Sequence, residues 1–134
     1  MSKPHILVVD DEPSVLLTYK MILEQEGYQV TAAPNSREAC KAMASVTFDL
    51  LLCDFSLEQQ HTGFEVIAAA RKLGPKTPCV LLTGYANVET AQQAKSQGIH
   101  VLFKPIEIEE FIQTTSSLVK NPHLPPGGSG NGDR

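Results

Sequence analysis

This sequence predicts an α/β fold with a doubly wound parallel sheet, on three observations. Short apolar runs that lack a two-residue period recur along the chain. Stretches with the apolar spacing of a helix lie between them. The two kinds of segment alternate strictly, which gives five βα units in a row. Strands covered on both faces lose the in–out alternation of a half-exposed strand. Repeated βα units place helices on both faces of the sheet and join the strands by right-handed crossovers.

The first strand is predicted over 5–9 (HILVV), ended by Asp10, Asp11 and Glu12. The first helix follows over 13–26, with Pro13 in the first turn and Gly27 as its stop. Its buried stripe is Val15, Leu16, Tyr19, Ile22 and Leu23. The segment 28–32 (YQVTA) does alternate, which places it nearer a sheet edge. Asn35 caps the second helix, with Glu38 three residues on, and Ala39, Met43 and Val46 face inward. The third strand is 50–53 (LLLC). The third helix, 64–73, turns Phe64, Ile67, Ala68 and Leu73 inward and stops at Gly74-Pro75.

The fourth strand is 79–82 (CVLL) and the fifth is 99–103 (IHVLF). Between them a helix capped by Asn87 and ended by Gly98 has only Val88, Ala91 and Ala94 as its apolar side. At about 25 cal/mol per Å² of buried apolar area, so small a face holds this helix weakly. The last helix, 107–120, buries Ile108, Phe111, Ile112 and Leu118.

A chain of 134 residues, 42% hydrophobic and 19% charged, is one globular domain. No apolar stretch approaches the roughly 20 residues of a membrane span, and the acidic cluster at 10–12 leaves no room for a secretory leader. The odd number of cysteines, three, excludes a full disulfide framework and makes a reducing cytoplasm the default. Cys53 and Cys79 fall in strands and read as core; Cys40 has no assigned role. A net charge of −4 argues against direct nucleic-acid binding. The histidines show no metal-ligand spacing; His61 and His100 are read as ordinary surface residues near the functional rim. From Asn121 the chain turns to Pro122, Pro125, Pro126 and Gly127-Gly128-Ser129-Gly130. This sets a domain at 1–120 and a disordered tail or linker at 121–134.

Ligands of open α/β sheets sit beyond the carboxyl ends of the strands. The strands deliver Asp10, Asp11 and Glu12, then Asp54, then Thr83 and Gly84, then Lys104, to that one rim. Carboxylates brought close repel, so one protonates or a cation enters between them. Oxygen-only ligands point to a hard cation, Mg²⁺. Lys104 and Thr83 would supply donors to phosphoryl oxygens, and a carboxylate can itself accept a phosphoryl group.

The segments ILVVDDEP at 6–13, LLLCDFSL at 50–57, VLLTGYA at 80–86 and LFKP at 102–105 appear in the order and spacing of a known family. The chain resembles the receiver domain of two-component response regulators over roughly residues 4–120. That resemblance implies a flavodoxin-like five-stranded sheet in strand order 2-1-3-4-5. It implies that Asp54 is the phosphoacceptor and that Asp10 and Asp11 are the metal-binding acids, Asp11 the preferred direct ligand. It implies that the Ser56 carbonyl is a further Mg²⁺ ligand, that Thr83 and Lys104 contact the phosphoryl group, and that the Lys104-Pro105 peptide is cis. Tyr85, with Ser56, would tune the lifetime of the phosphorylated form. The implied partners are a histidine kinase or phosphotransfer protein and a downstream protein or output domain. No membrane or nucleic-acid contact is implied, and the domain is not a turnover enzyme.

Three departures concern the readout. The position of the family's aromatic switch residue is Val101, and Phe103 faces away from Lys104. In the loop after Asp54, Glu58 and Thr62 replace a proline and a glycine, and Gly63 follows one residue late. The 98–104 segment is one residue short. The alternative of another class is a receiver-fold interaction module that phosphorylation does not drive. A nucleotide-binding enzyme is disfavoured because DDEPS at 10–14 lacks glycine.

Overall fold

The computed structural model describes residues 3–57, 62–84 and 87–126. The elements run β1 (His5–Val9), α1 (Pro13–Gln25), β2 (Gln29–Ala33), α2 (Ser36–Ser45), β3 (Leu50–Asp54), α3 (Gly63–Leu73), β4 (Cys79–Gly84), α4 (Val88–Ser96), β5 (His100–Lys104) and α5 (Ile108–Lys120). All strands are parallel, in the order β2-β1-β3-β4-β5. The alternating segment, β2, is an edge strand as its pattern requires.

The period-two geometry of a strand divides each apolar run between two cores. Ile6, Val8, Leu50, Leu52, Val80 and Leu82 pack with Leu16 and Leu23 of α1 and Phe111 and Leu118 of α5. Leu7, Val9, Leu51, Cys53 and Leu81 pack on the other face with Ala39 of α2, Val66 and Ile67 of α3, and Ala94 of α4. Cys53 and Cys79 are buried core residues, and Cys40 is exposed. The Asn35 cap forms, its Oδ1 accepting from the Glu38 amide at 2.8 Å. Gly27 and Gly98 end their helices at φ of 97° and 76°, a left-handed geometry that a Cβ disfavours.

Three inward faces differ from the sequence expectation. The third helix begins at Gly63 and buries Val66, Ile67 and Ala70, leaving Ala68 exposed and Leu73 61% exposed. Val46 caps α2 and is 40% exposed. In α5 the buried residues are Phe111, Thr115 and Leu118, while Ile108 is 59% exposed.

Helix α4 buries only Ala91 and Ala94, and Val88 is 57% exposed. Two alanine side chains bury far less apolar area than the Leu16 and Leu23 of α1. The amides of α4 are therefore expected to exchange with solvent faster than those of α1; equal protection in a native-state exchange experiment would refute this.

Candidate functional site

The carboxyl rim collects one residue from the end of each of four strands. Asp10 follows β1, Asp54 ends β3, Thr83 is the penultimate residue of β4, and Lys104 ends β5. The first three are buried polar side chains, with Asp10 at 1% exposure and Thr83 at 2%. Oxygens of Asp10, Asp11 and Asp54 lie within 4.8 Å of one another. The Lys104 Nζ donates to Asp54 Oδ1 at 2.5 Å and to Asp10 Oδ2 at 3.5 Å. The other Asp10 oxygen, Oδ1, accepts from the Glu12 amide at 2.9 Å. Glu12 itself is exposed at the start of α1 and is not part of the carboxylate group.

Asp11, Asp54, Thr83 and Lys104 border an open cleft of about 250 Å³ lined also by Ser56, Gly84 and Asn87. Burial raises the Asp54 carboxyl above its ordinary pKa, against the opposing pull of Lys104. Burial works to lower the Lys104 ammonium, but its bond and attraction to Asp54 prevail and raise it. Burial likewise raises the Tyr19 hydroxyl, whose ring stacks on Phe111 at 4.9 Å between α1 and α5. The Lys104-Pro105 peptide is cis.

The loop after Asp54 is closed by an antiparallel bridge between Ser56 and Thr62. The Gly63 amide donates to the Phe55 carbonyl at 2.8 Å. A Cβ on Gly63 would stand 2.6 Å from the Asp54 carbonyl oxygen and 2.7 Å from Leu81 Cδ1. The glycine that comes one residue late in sequence thus lies directly against the Asp54 backbone. The Glu65 carboxylate accepts from the Thr62 amide at 3.1 Å, fixing the start of α3.

Asn87 and His100 differ from what their sequence context predicts. Asn87 does hold the N-cap position of α4, but its side chain makes no capping bond and donates instead to Thr83 Oγ1 at 3.0 Å. His100 is not near the rim. It begins β5, at the opposite end of the sheet, half-buried, and its Nε2 donates to the Leu124 carbonyl at 2.8 Å. Burial pushes its pKa down. Val101 carries no ring and packs against the core on the side of α3 and α4. Glu58, His61, Tyr85 and residues 127–134 lie outside the described residues.

Parallel strands that bring three acids, a hydroxyl and an ammonium to one rim define a receiver-type α/β domain. The profile of the response regulator receiver domain matches residues 6–116. The chain belongs to that family. It is 32% identical over 89% of its length to the transcriptional regulatory protein ZraR of Klebsiella oxytoca, and spans 27% of that protein. It is 36% identical to an uncharacterized protein of Leptolyngbya boryana, covering 84% of this chain and 88% of the other. Among solved structures, a CheY-like response regulator receiver domain protein from Methanospirillum hungatei superposes with a TM-score of 0.82 at 30% identity, covering 90% of this chain and 97% of that one. The chain therefore spans about a quarter of the length of the ZraR relatives, which carry a good deal more. No helix among the described residues is long and apolar enough to cross a membrane.

Proposed function

We propose that Asp54 takes a phosphoryl group from a histidine kinase or phosphotransfer protein, with Mg²⁺ held in the acidic cleft, and that the product alters a protein-binding surface. The observation that carries this is the buried Asp54 carboxylate, held on one oxygen by Lys104 and flanked by two further acids within 4.8 Å. The donor set fits the ion: oxygens only, clustered, and beside an open cleft. Asp10, Asp11, Asp54 and the Ser56 carbonyl would hold it. When bound, Mg²⁺ supplies positive charge against which a carboxylate and a phosphate can approach.

The transfer balances simply. An Asp54 oxygen attacks phosphorus, the donor's P–N bond breaks, and its electron pair leaves with the imidazole, which takes up a proton. Lys104, already beside Asp54, pairs with a phosphoryl oxygen and limits the build-up of charge. Thr83, on the same cleft, donates its hydroxyl proton to another. The weakly docked α4, with β5 and α5, forms the surface that responds. The domain is phosphorylated stoichiometrically rather than turning over substrate. Residues 1–120 form this domain and 121–134 a tail or linker, in a cytoplasmic protein.

Incubation with Mg²⁺ and acetyl phosphate is expected to add the mass of one phosphoryl group. Asp54→Asn is expected to abolish the gain, and chelation of Mg²⁺ to slow it by about 100-fold or more. A mass gain that survives Asp54→Asn, or no gain at all with the fold intact, would reject this function.

A further inference from the structure

Asn87 can cap α4 through Oδ1 and hold Thr83 through Nδ2, and this structure shows only the second. As N-cap of α4, an asparagine ordinarily has extended backbone and accepts from an amide two or three residues on, here Glu89 or Thr90. Asn35 does this at the start of α2, with φ −159° and ψ 173°. Asn87 instead has φ −96° and ψ 60°, makes no side-chain cap, and spends its amide on Thr83 Oγ1. The bond to Thr83 and the distorted cap go together.

The Thr83 hydroxyl also borders the cleft that holds Asp54 and Lys104. A phosphoryl group on Asp54 is a charged acceptor, and hydrogen bonds to charged groups are roughly twice as strong as neutral ones. Threonine reaches a new partner by changing χ1 between staggered wells. That turn carries Oγ1 away from Asn87.

We infer that Asn87 is a positioning residue that joins the state of Asp54 to the start of α4. In the resting domain it holds the Thr83 hydroxyl and leaves α4 uncapped. When Thr83 turns to the phosphoryl group, Asn87 relaxes to extended backbone and caps the helix. The route needs no ring at position 101, where this chain has Val101. The inference rests on Asp54 being the acceptor, and its test separates the two.

Beryllofluoride serves as the phosphoryl mimic, its occupancy read from the fluorine signal of the bound complex. Amide exchange at Glu89 and Thr90 is measured with and without it. In the unaltered protein these amides are expected to slow about fivefold, the effect of an ordinary cap. In Asn87→Ala the mimic binds and the slowing is lost. In Thr83→Val, Asn87 has no hydroxyl to hold, so the amides are already slow before the mimic is added. Slowing of normal size in Asn87→Ala, or resting exchange unchanged in Thr83→Val, would overturn the inference alone. Failure of the mimic to bind the unaltered protein would overturn the acceptor role as well.

Discussion

Gly63→Ala is expected to destabilise the domain by about 2–3 kcal/mol, in the range of core overpacking. The methyl group would press on two atoms at once. Leu81 Cδ1, at 2.7 Å, belongs to a side chain that can shift within the core. The Asp54 carbonyl oxygen, at 2.6 Å, cannot, because β3 is paired on both sides and Gly63 itself is tied to the Phe55 carbonyl. Alanine's better helix propensity offsets only about 1 kcal/mol of this. Because strain falls on the backbone that carries Asp54, the proposed acceptor, phosphorylation from acetyl phosphate should slow as well. Gly84→Ala is the control for stability, since a Cβ there meets nothing within 4 Å. Urea melts of the two variants check the expectation; a Gly63→Ala midpoint level with that of Gly84→Ala would contradict the packing described.

Lys104→Met is expected to cost about 1–2 kcal/mol at pH 7 in metal-free protein. Breaking a buried ion pair costs about 3–5 kcal/mol. The figure is reduced here because the lysine side chain is 31% exposed and solvent screens it. The cost should depend on pH in a definite direction. The Asp54 pKa is already above 3.8 in the fold, chiefly from burial, with Lys104 opposing. Without Lys104 it rises further. A carboxyl with a raised folded pKa favours the fold below its unfolded value, and that advantage is lost as pH rises through the folded value. The variant should therefore approach the unaltered protein near pH 4 and fall behind steadily toward pH 7. Added Mg²⁺ should narrow the gap by restoring positive charge among the acids. Denaturant melts at several pH values, with and without Mg²⁺, measure this; a gap independent of pH would mean that the ion pairs are not its source.

The site was more legible in the sequence than the helix faces were. Asp54 and Thr83 follow buried apolar runs, Lys104 follows the partly buried run of β5, and a charged or hydroxyl side chain there has few uses except at a strand's carboxyl end. Asp10 and Asp11 have the same logic. His100 lies away from the rim because it begins β5 while Lys104 ends it, so the length of the strand separates them. In α3 the spacing Phe64, Ile67, Ala68 is as helical as Gly63, Val66, Ile67, Ala70, and only packing on the sheet selects the second stripe. In α5, spacing favours Ile108 together with Phe111, but only Phe111, Thr115 and Leu118 are buried, and spacing alone does not contain which turn of the helix meets the core. Asn87 was read correctly by position and wrongly by partner. A cap pattern does not reveal a hydroxyl that folding brings alongside it, and only the tertiary structure places Thr83 there.

The bond between His100 and Leu124 has a practical use. It brings the chain after α5 back beneath the sheet, so Leu124 sits a full strand length from the acidic cleft. Five residues of parallel strand span roughly 16 Å. A dye or fluorescent protein attached beyond Pro126 would begin its path on the underside of the domain. It would leave the cleft beside Asp54 unobstructed, and make a suitable handle for following the proposed phosphorylation in real time.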